Sequence, residues 1–539
     1  MKIESSPFDQ LPFSKLFRDY VTGNKNISQF FDYKLPDENF LQQEAGEFRF
    51  RGDRQQTVTL LKEFNKQFDA GDFTLGEIEK LLNSESLVLV TGQQVSLLGG
   101  PLFTIYKTLT TIHYARKLQK STGRPVVPVF WLADEDHDIE EVSTVTFPGD
   151  PEATSVSYHH KNYADSPPPA GSIQLGEEFE NFKKTISESL DDTDFTDQLW
   201  TEIGKSYHKK KTFAEGFGHW LLKLFGGDGL VLAGSNCPNI KEYTKSVFKT
   251  AVSEQKLIAE TLDDTTHRLL EEGYHGQVQV QPSNLFYLDG QNRRLKIQFI
   301  DDTWSTPEKK WSNEELIEDI DEYPQNFSPN VFLRPILQDD LLPVAGIVAG
   351  PGEIAYYAQI KDFYHVFNKS MPRIIPRFSI TLIESAIERI IGRLSFTWTD
   401  YQKRIEDLEK LYVDENENVD IEKMFGIWKS QIEELSRAKK DDIQTIDPTL
   451  EGSVGKAKAT YFSELDKLKG KVYRTIKEQE KVQLDRILRI KQNLFPNGNL
   501  QEREVAFIYY MNKYGLRIWD NLLNALENEE PFTHKRIYL

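Results

Sequence analysis

Apolar positions along this chain change period several times, and each change marks an element. Residues 87–91 read LVLVT, a β-branched run with no polar alternation. Such runs are typical of a central parallel strand covered on both faces. A loop, GQQVSLLGGP, runs from Gly92 to Pro101. From about Leu102 to Leu118 apolar residues then recur at helical spacing, through Ile105, Leu109, Ile112 and Ala115. Pro101 suits the first turn of that helix, where a missing N–H costs nothing. PVVPVFWLA, Pro125 to Ala133, reads as the next strand. Strand, helix and strand make one βαβ unit, whose crossover the handedness rule sets as right-handed.

The signal returns downstream. DGLVLAG, Asp228 to Gly234, is an apolar strand with a helix after Pro238. LPVAGIVAG, Leu342 to Gly350, is another. PGE opens the following loop, residues 354–367 read as a helix, and PRIIP, Pro372 to Pro376, reads as a short strand. Together they predict an α/β fold with one doubly wound parallel sheet and connecting insertions. The insertions fall near 150–215 and 255–330. The first carries the Pro-rich loop YADSPPPAGS, and the second the hairpin YLDGQNRRLKI.

From about Ile380 to Leu494 strand signals vanish and charges dominate. Ile405, Leu408 and Leu411 recur at helical spacing, as do Leu465, Leu468, Val472 and Ile476, then Leu484, Ile487 and Leu488. The stretch Asp441–Gly455 between them reads as a loop. This predicts an α-helical antiparallel coiled-coil arm, a device for packing or oligomerisation. The expected division is a core over 1–380, a helical coiled-coil domain over 381–497, and a C-terminal segment, 498–539, returning to the core.

Charge narrows the partners. The formal net charge is −19. Nucleic-acid binders neutralise phosphates with clustered Lys and Arg, so this excess of acid argues against nucleic acid and against an anionic membrane surface. One basic pocket on an acidic protein can still take a phosphate-bearing small molecule. The chain has one cysteine, Cys237, so no intramolecular disulfide forms, which fits a reducing compartment. Whether that thiol is a buried filler or reactive stays open. MKIESSPFDQLPF does not read as a signal peptide, and no segment approaches the roughly 18 apolar residues of a membrane helix. A cytoplasmic location is expected.

In open α/β sheets ligands bind outside the carboxyl ends of strands, near helix N-termini. TGQQVSLLGGP and AGPGE meet that requirement. Neither is G-x-x-x-x-G-K-[ST] or G-x-G-x-x-G, so an anion site and a merely tight turn both remain open. Gln93 and Gln94 add side-chain amides at the strand tip, and Lys107 lies about two turns into the helix. DEDHDIEE, Asp134 to Glu141, follows the second strand directly. Acids around His137 would raise its pKa and suit proton transfer, and Asp136 and Asp138 are candidates to help ligate Mg²⁺. The alternative is a solvated acidic helix start. One Cys and no H-E-x-x-H leave no zinc set, and no G-x-S-x-G elbow is present. Arg334 is either a carboxylate fork or a structural ion pair, and Arg373 and Arg377 carry the same alternatives.

TGQQVSLLGGPLFTIYK, PVVPVFWLADEDHDIEEV, PSNLFY, FSPNVFLRPILQDDLLPVAGIVAGPGEIAYY and MPRIIPRFSITLIE, in this order, resemble the cysteine-adding family of bacillithiol synthesis. FFDY at Phe30–Tyr33 and YYMNKYG at Tyr509–Gly515 extend the likeness over essentially the whole chain. The resemblance implies a Rossmann-like core, a coiled-coil arm that makes a homodimer, and a ligase joining L-cysteine to the glucosamine amine of glucosaminyl malate. Amide formation from a free carboxylate is uphill, so ATP and Mg²⁺ are expected, with a cysteinyl adenylate or phosphate as intermediate. In that scheme Gly92, Gln93, Gln94, Gly350 and Gly352 border the nucleotide or substrate site. His137 or Asp136 takes a proton, with Asp138 beside them, and Arg334 holds a malate carboxylate. Lys107, Asn284, Glu353, Tyr357 and Arg377 complete the expected binding residues. Two rivals stay open: a nucleotidyl or glycosyl transferase on the same core, and a non-catalytic dimeric nucleotide-binding scaffold.

Overall fold

The computed structural model describes residues 1–33, 50–136, 138–149, 153–159, 168–416 and 420–539. The chain divides into two compact units. One comprises Met1–Phe147, Thr154–Leu382 and Glu502–Leu539, and the other Pro148–Ala153 and Ile383–Gln501.

The larger unit is built on five parallel strands: β1 (Leu87–Gln94), β2 (Val126–Ala133), β3 (Val231–Gly234), β4 (Val344–Ala349) and β5 (Arg373–Pro376). Their order across the sheet is β3-β2-β1-β4-β5. Every residue of β2 is buried, as a strand covered on both faces requires. Pro128 sits inside this central strand without penalty to the ladder on its β3 side. Pairing with β3 begins only at Val129, so the missing N–H falls where that side has no neighbour. Helix α1 (Leu102–Thr122) connects β1 to β2, and α2 (Pro238–Ser253) follows β3. Helix α3 (Arg334–Leu341) precedes β4, and α4 (Pro351–Tyr357) follows it. The helix expected over 354–367 is broken into α4 and a second short helix, Lys361–Val366.

Strand order reverses between β1 and β4, the switch point where an open α/β sheet leaves a crevice at its carboxyl edge. The first insertion contributes the antiparallel pair Thr144–Phe147 and Thr154–Ser157 and three helices, ending with Phe213–Phe225. The Pro-rich loop falls partly on residues outside those described. The second insertion contains the hairpin read from the sequence, Leu285–Leu288 against Arg294–Lys296, with Phe327–Pro329 on its other side.

The C-terminal segment is held in the larger unit by a buried ion pair. Arg377 donates through Nη1 and Nη2 to the two carboxylate oxygens of Glu502, at 2.9 and 2.7 Å. The Ile380 amide donates to the same carboxylate at 2.9 Å, and Ser379 Oγ donates to it as well. The Arg377 guanidinium holds the buried Glu502 carboxyl below its usual range. Burial pushes nearby His534, which hydrogen-bonds Ser379, down to about 4. Residues 505–507 then stitch onto the core through backbone bonds from Leu102, and to Thr146 and Gly100.

In the second unit two long helices, α5 (Ile421–Ile446) and α6 (Glu451–Gln479), pair antiparallel. The direction follows from the cross-pairs Glu422–Lys469, Lys429–Asp466 and Glu433–Lys458. Ile421, Phe425 and Leu465 form a buried cluster with Val413 of the preceding helix, Ile405–Asn416, flanked by Val472 and Ile476. Leu468, expected in that stripe, is instead exposed. The loop expected over Asp441–Gly455 shrinks to 447–450. Asp447 accepts from the Thr449 amide and hydroxyl, and the residue before Pro448 is barred from helix, so the turn needs only four residues.

Removing one partner of a buried ion pair leaves the other uncompensated, which costs about 3–5 kcal/mol. Glu502→Ala should therefore lower unfolding stability by that order in urea titration. A loss under about 1 kcal/mol, the range of exposed pairs, would show that the clasp is not buried in solution.

Candidate functional site

The strand tips at the switch point are tied together by one buried ammonium. Lys107, 2% exposed on α1, donates through Nζ to the Gly92 carbonyl at 2.8 Å and to Gln93 Oε1 at 2.9 Å. It also pairs with Glu353 Oε2 at 2.6 Å. That oxygen accepts the Gly350 amide at 2.8 Å. One cation thus fixes the tip of β1 against the loop that follows β4. Desolvation pulls the Lys107 pKa down and the Glu353 carboxylate opposes the shift. Gly92 allows β1 to lie close on β2, because a Cβ there would meet the Trp131 carbonyl oxygen at 2.9 Å.

Two adjoining cavities open at these tips. The larger, of about 440 Å³, is bordered by Lys107, Gly350, Gly352 and Arg377, and on its far side by Arg503 and Glu504. The smaller, of about 140 Å³, is bordered by Gly92, Trp131, Asp136, Arg334, Gln338 and Tyr357. Gln93, Gln94, Glu353 and Tyr356 border both.

Most of the residues expected from the sequence are therefore brought to one place, but not all in the same role. Arg377 borders the larger cavity with its fork already filled by Glu502, which makes it a structural cation. Asn284 borders neither cavity; its side chain accepts from Asn330 at 2.8 Å within the second insertion. Asp138 also borders neither cavity. It caps the short helix Ile139–Ser143 and accepts the Glu141 amide at 3.3 Å, so it does not join Asp136 in a paired carboxylate. Asp136 faces the smaller cavity and accepts Gln94 Nε2 at 3.0 Å. His137 lies outside the described residues. Among the described residues no group of three His, Cys, Asp or Glu is placed to hold a metal ion.

Several residues escaped the sequence reading. Glu135, buried behind the acidic loop, pairs with buried Lys241 of α2 at 2.7 Å and accepts from Ser235. Arg294 stacks on the Phe286 ring, with its centre 3.8 Å from the ring centroid, and donates to Ser328 and the Pro329 carbonyl. Burial brings its pKa down to about 10. The one legible signal was the acid pair at 134–135, which demands a cation once buried. Asp134 is 4% exposed, and burial with the neighbouring Glu135 charge pushes its carboxyl up to about 7. The first insertion closes over it: Gly171 and Ala170 amides donate to the Asp134 and Asp136 carbonyls. A Cβ at Gly171 would sit 2.4 Å from the Asp134 Cβ.

The described N-terminal part matches the family "Bacillithiol biosynthesis BshC, N-terminal Rossmann-like domain" over residues 1–378, and residues 380–539 match its C-terminal coiled-coil domain. The chain belongs to the BshC family of bacillithiol biosynthesis. Relatives named "Putative cysteine ligase BshC" include one from Salinibacter ruber, 32% identical, covering 96% of this chain and 95% of its own. Another, from Geobacillus sp., is 32% identical over 97% of this chain and 98% of its own. The BshC family assignment makes the chain a ligase with a Rossmann-like core and a coiled-coil domain. No helix among the described residues is long and apolar enough to cross a membrane.

The Asp134 carboxyl sets a pH dependence. Its folded pKa lies above the unfolded value, so the stability it contributes is fully present below about 4 and is lost as pH rises through about 7. Between pH 5 and 8 the wild type should lose up to about 1.4 kcal/mol per pH unit relative to Asp134→Asn. Denaturant titrations of both proteins across that range measure it. Parallel curves would show that Asp134 does not titrate there.

Proposed function

We propose that this chain joins L-cysteine to the glucosamine amine of glucosaminyl malate, forming bacillithiol, with ATP activating the cysteine carboxyl. One observation carries the reading: two adjoining cavities at the switch point share a wall of Gln93, Gln94, Glu353 and Tyr356. A ligase must bring two polar substrates and an energy donor to one point, and reactants held in contact gain most of their advantage from positioning. The names of the relatives support the choice of cysteine as one substrate.

The carboxylate oxygen of cysteine attacks a phosphorus of ATP, and pyrophosphate or ADP leaves. The amine of the second substrate then attacks the acyl carbon, the acyl–oxygen bond breaks, and AMP or phosphate leaves. The attacking amine must lose a proton. We assign its acceptor as Asp136, which borders the smaller cavity. Lys107 and Glu353 are engaged with each other and hold the tip of β1 against the loop after β4. Mg²⁺ enters with the ATP phosphates, which supply several of its oxygen ligands. Arg334 supplies the fixed positive charge for a substrate carboxylate.

The arm makes the homodimer, and the protein works in the cytoplasm. Met424, Ile427, Trp428 and Leu435 on α5, and Tyr461 and Leu468 on α6, are large apolar side chains left exposed. Such a stripe at helical spacing is what a second helix pair covers.

Mass spectrometry of the protein with glucosaminyl malate, L-cysteine, ATP and Mg²⁺, each omitted in turn, tests the reaction. Product of the mass of bacillithiol that vanishes without ATP is expected; product formed from a sugar nucleotide instead would replace this reading with a transferase. Asp136→Asn should lower kcat by about 10²–10⁴ while KM changes little, and an unchanged kcat would exclude Asp136 as the base. For the arm, the double variant I427E/L435E should sediment as a monomer where wild type is a dimer. A wild-type monomer would end the dimer proposal.

A further inference from the structure

The smaller cavity has polar atoms that the protein itself leaves unanswered. Trp131 is 1% exposed, and its Nε1–H has no acceptor among the described residues. Gln338, on α3, is 6% exposed, and its Oε1 has no donor among them. Both residues border the cavity. Arg334, one turn before Gln338 on the same helix, also borders it, and its guanidinium makes no hydrogen bond or ion pair with the described residues. Most buried polar groups are paired, so two orphans and a free guanidinium converging on one small space point to a ligand there.

The chemistry of the three groups selects its class. Trp131 and Arg334 only donate, and they ask for a carboxylate. Gln338 Oε1 only accepts, and it asks for an N–H. Asp136 also borders the cavity and adds negative charge to it. A dicarboxylic acid leaves Gln338 unanswered, and a simple amine leaves Trp131 and Arg334 unanswered. A molecule with a carboxylate and an ammonium a few bonds apart answers all three. The cavity, of about 140 Å³, has room for a small molecule.

We propose that the smaller cavity is a zwitterion subsite that holds a free α-amino acid. Trp131 Nε1 and Arg334 take its carboxylate, and Gln338 Oε1 takes its ammonium. The choice of L-cysteine as that amino acid rests on the ligase reading above, whereas the zwitterion class does not. The larger cavity is then left for the bulkier substrates, and the shared wall of Gln93, Gln94, Glu353 and Tyr356 is where they meet the amino acid. Trp131 and Gln338 become specificity determinants for the amino-acid substrate.

Two truncated probes separate the two ends of the ligand. 3-Mercaptopropionate lacks the ammonium, and cysteamine lacks the carboxylate. Isothermal titration of the full-length protein should show L-cysteine binding more tightly than either probe. Trp131→Phe, which removes the N–H together with the pyrrole part of the indole, should weaken L-cysteine and 3-mercaptopropionate about tenfold and leave cysteamine unchanged. Gln338→Leu should weaken L-cysteine and cysteamine about tenfold and leave 3-mercaptopropionate unchanged. Gln338→Glu keeps an acceptor and should restore the loss. Thermal melts check that each variant is folded, and if Trp131→Phe is not, the Leu and Glu variants of Gln338 decide alone. Wild type that binds no L-cysteine, or variants that bind it as wild type does, overturns the subsite and leaves a water-filled cavity. If product still forms while cysteine affinity is unmoved in both variants, the subsite falls and the ligase reading stands. If the variants shift cysteine binding but no mixture yields product, the subsite stands and the ligase reading falls.

Discussion

The carboxyl edge of the sheet depends on a single buried cation. Lys107 takes three oxygens from two different strand tips, and Glu353 passes the same charge on to the Gly350 amide. An ammonium in that position is costly to desolvate and is tolerated only because each of its N–H groups is answered. The arrangement is correspondingly specific. Moving either strand tip strands a charge, so the crevice between β1 and β4 holds one geometry. Gln93, Gln94 and Glu353 inherit their positions from it, and both cavities are bordered by these three side chains.

The acidic loop after β2 is fixed by a parallel device. The Glu135–Lys241 pair anchors it to α2, and the amides of Ala170 and Gly171 cover it from the first insertion. Asp136 is thereby presented toward the cavity while Asp134 and Glu135 are turned to structural use. Three adjacent carboxylates in one short run thus have three environments: one pushed up to about 7 by burial, one ion-paired, and one bordering the smaller cavity. This is how a low dielectric differentiates chemically identical groups.

Much of this frame was legible in the sequence because strands buried on both faces have no polar partner to hide behind. LVLVT, VVPVFWLA, LVLAG and PVAGIVA each mark a strand by composition alone. The order of those strands was not legible, since hydrophobic runs carry no record of which neighbour they pair with. Gln93, Gln94, Lys107 and Arg334 could be named as site candidates because polar groups at a strand tip or helix start are conspicuous. The use of Arg377 was invisible: its partner Glu502 lies 125 residues away in sequence, across the whole arm. Trp131 and Gln338 were invisible for the opposite reason. They read as ordinary core and helix residues, and only the three-dimensional count of donors and acceptors reveals that they lack partners. The four-residue turn at 447–450 was hidden by the polar composition of its flanks, which resembles a loop although they are the ends of two long helices.

The Glu502 clasp also bears on how the chain can be lengthened. Its carboxylate accepts the amide of Ile380, so the chain leaves and re-enters the larger unit at nearly the same point. Everything between, Ile383–Gln501, is an excursion tied off at its base. Closing a loop costs entropy that grows only with the logarithm of its length, about 0.6 kcal/mol for each doubling. Once the knot is made, helical turns can be added to or removed from the excursion almost without penalty to the sheet. The arm can therefore change in length without reopening the clasp that holds the end of the chain to the sheet.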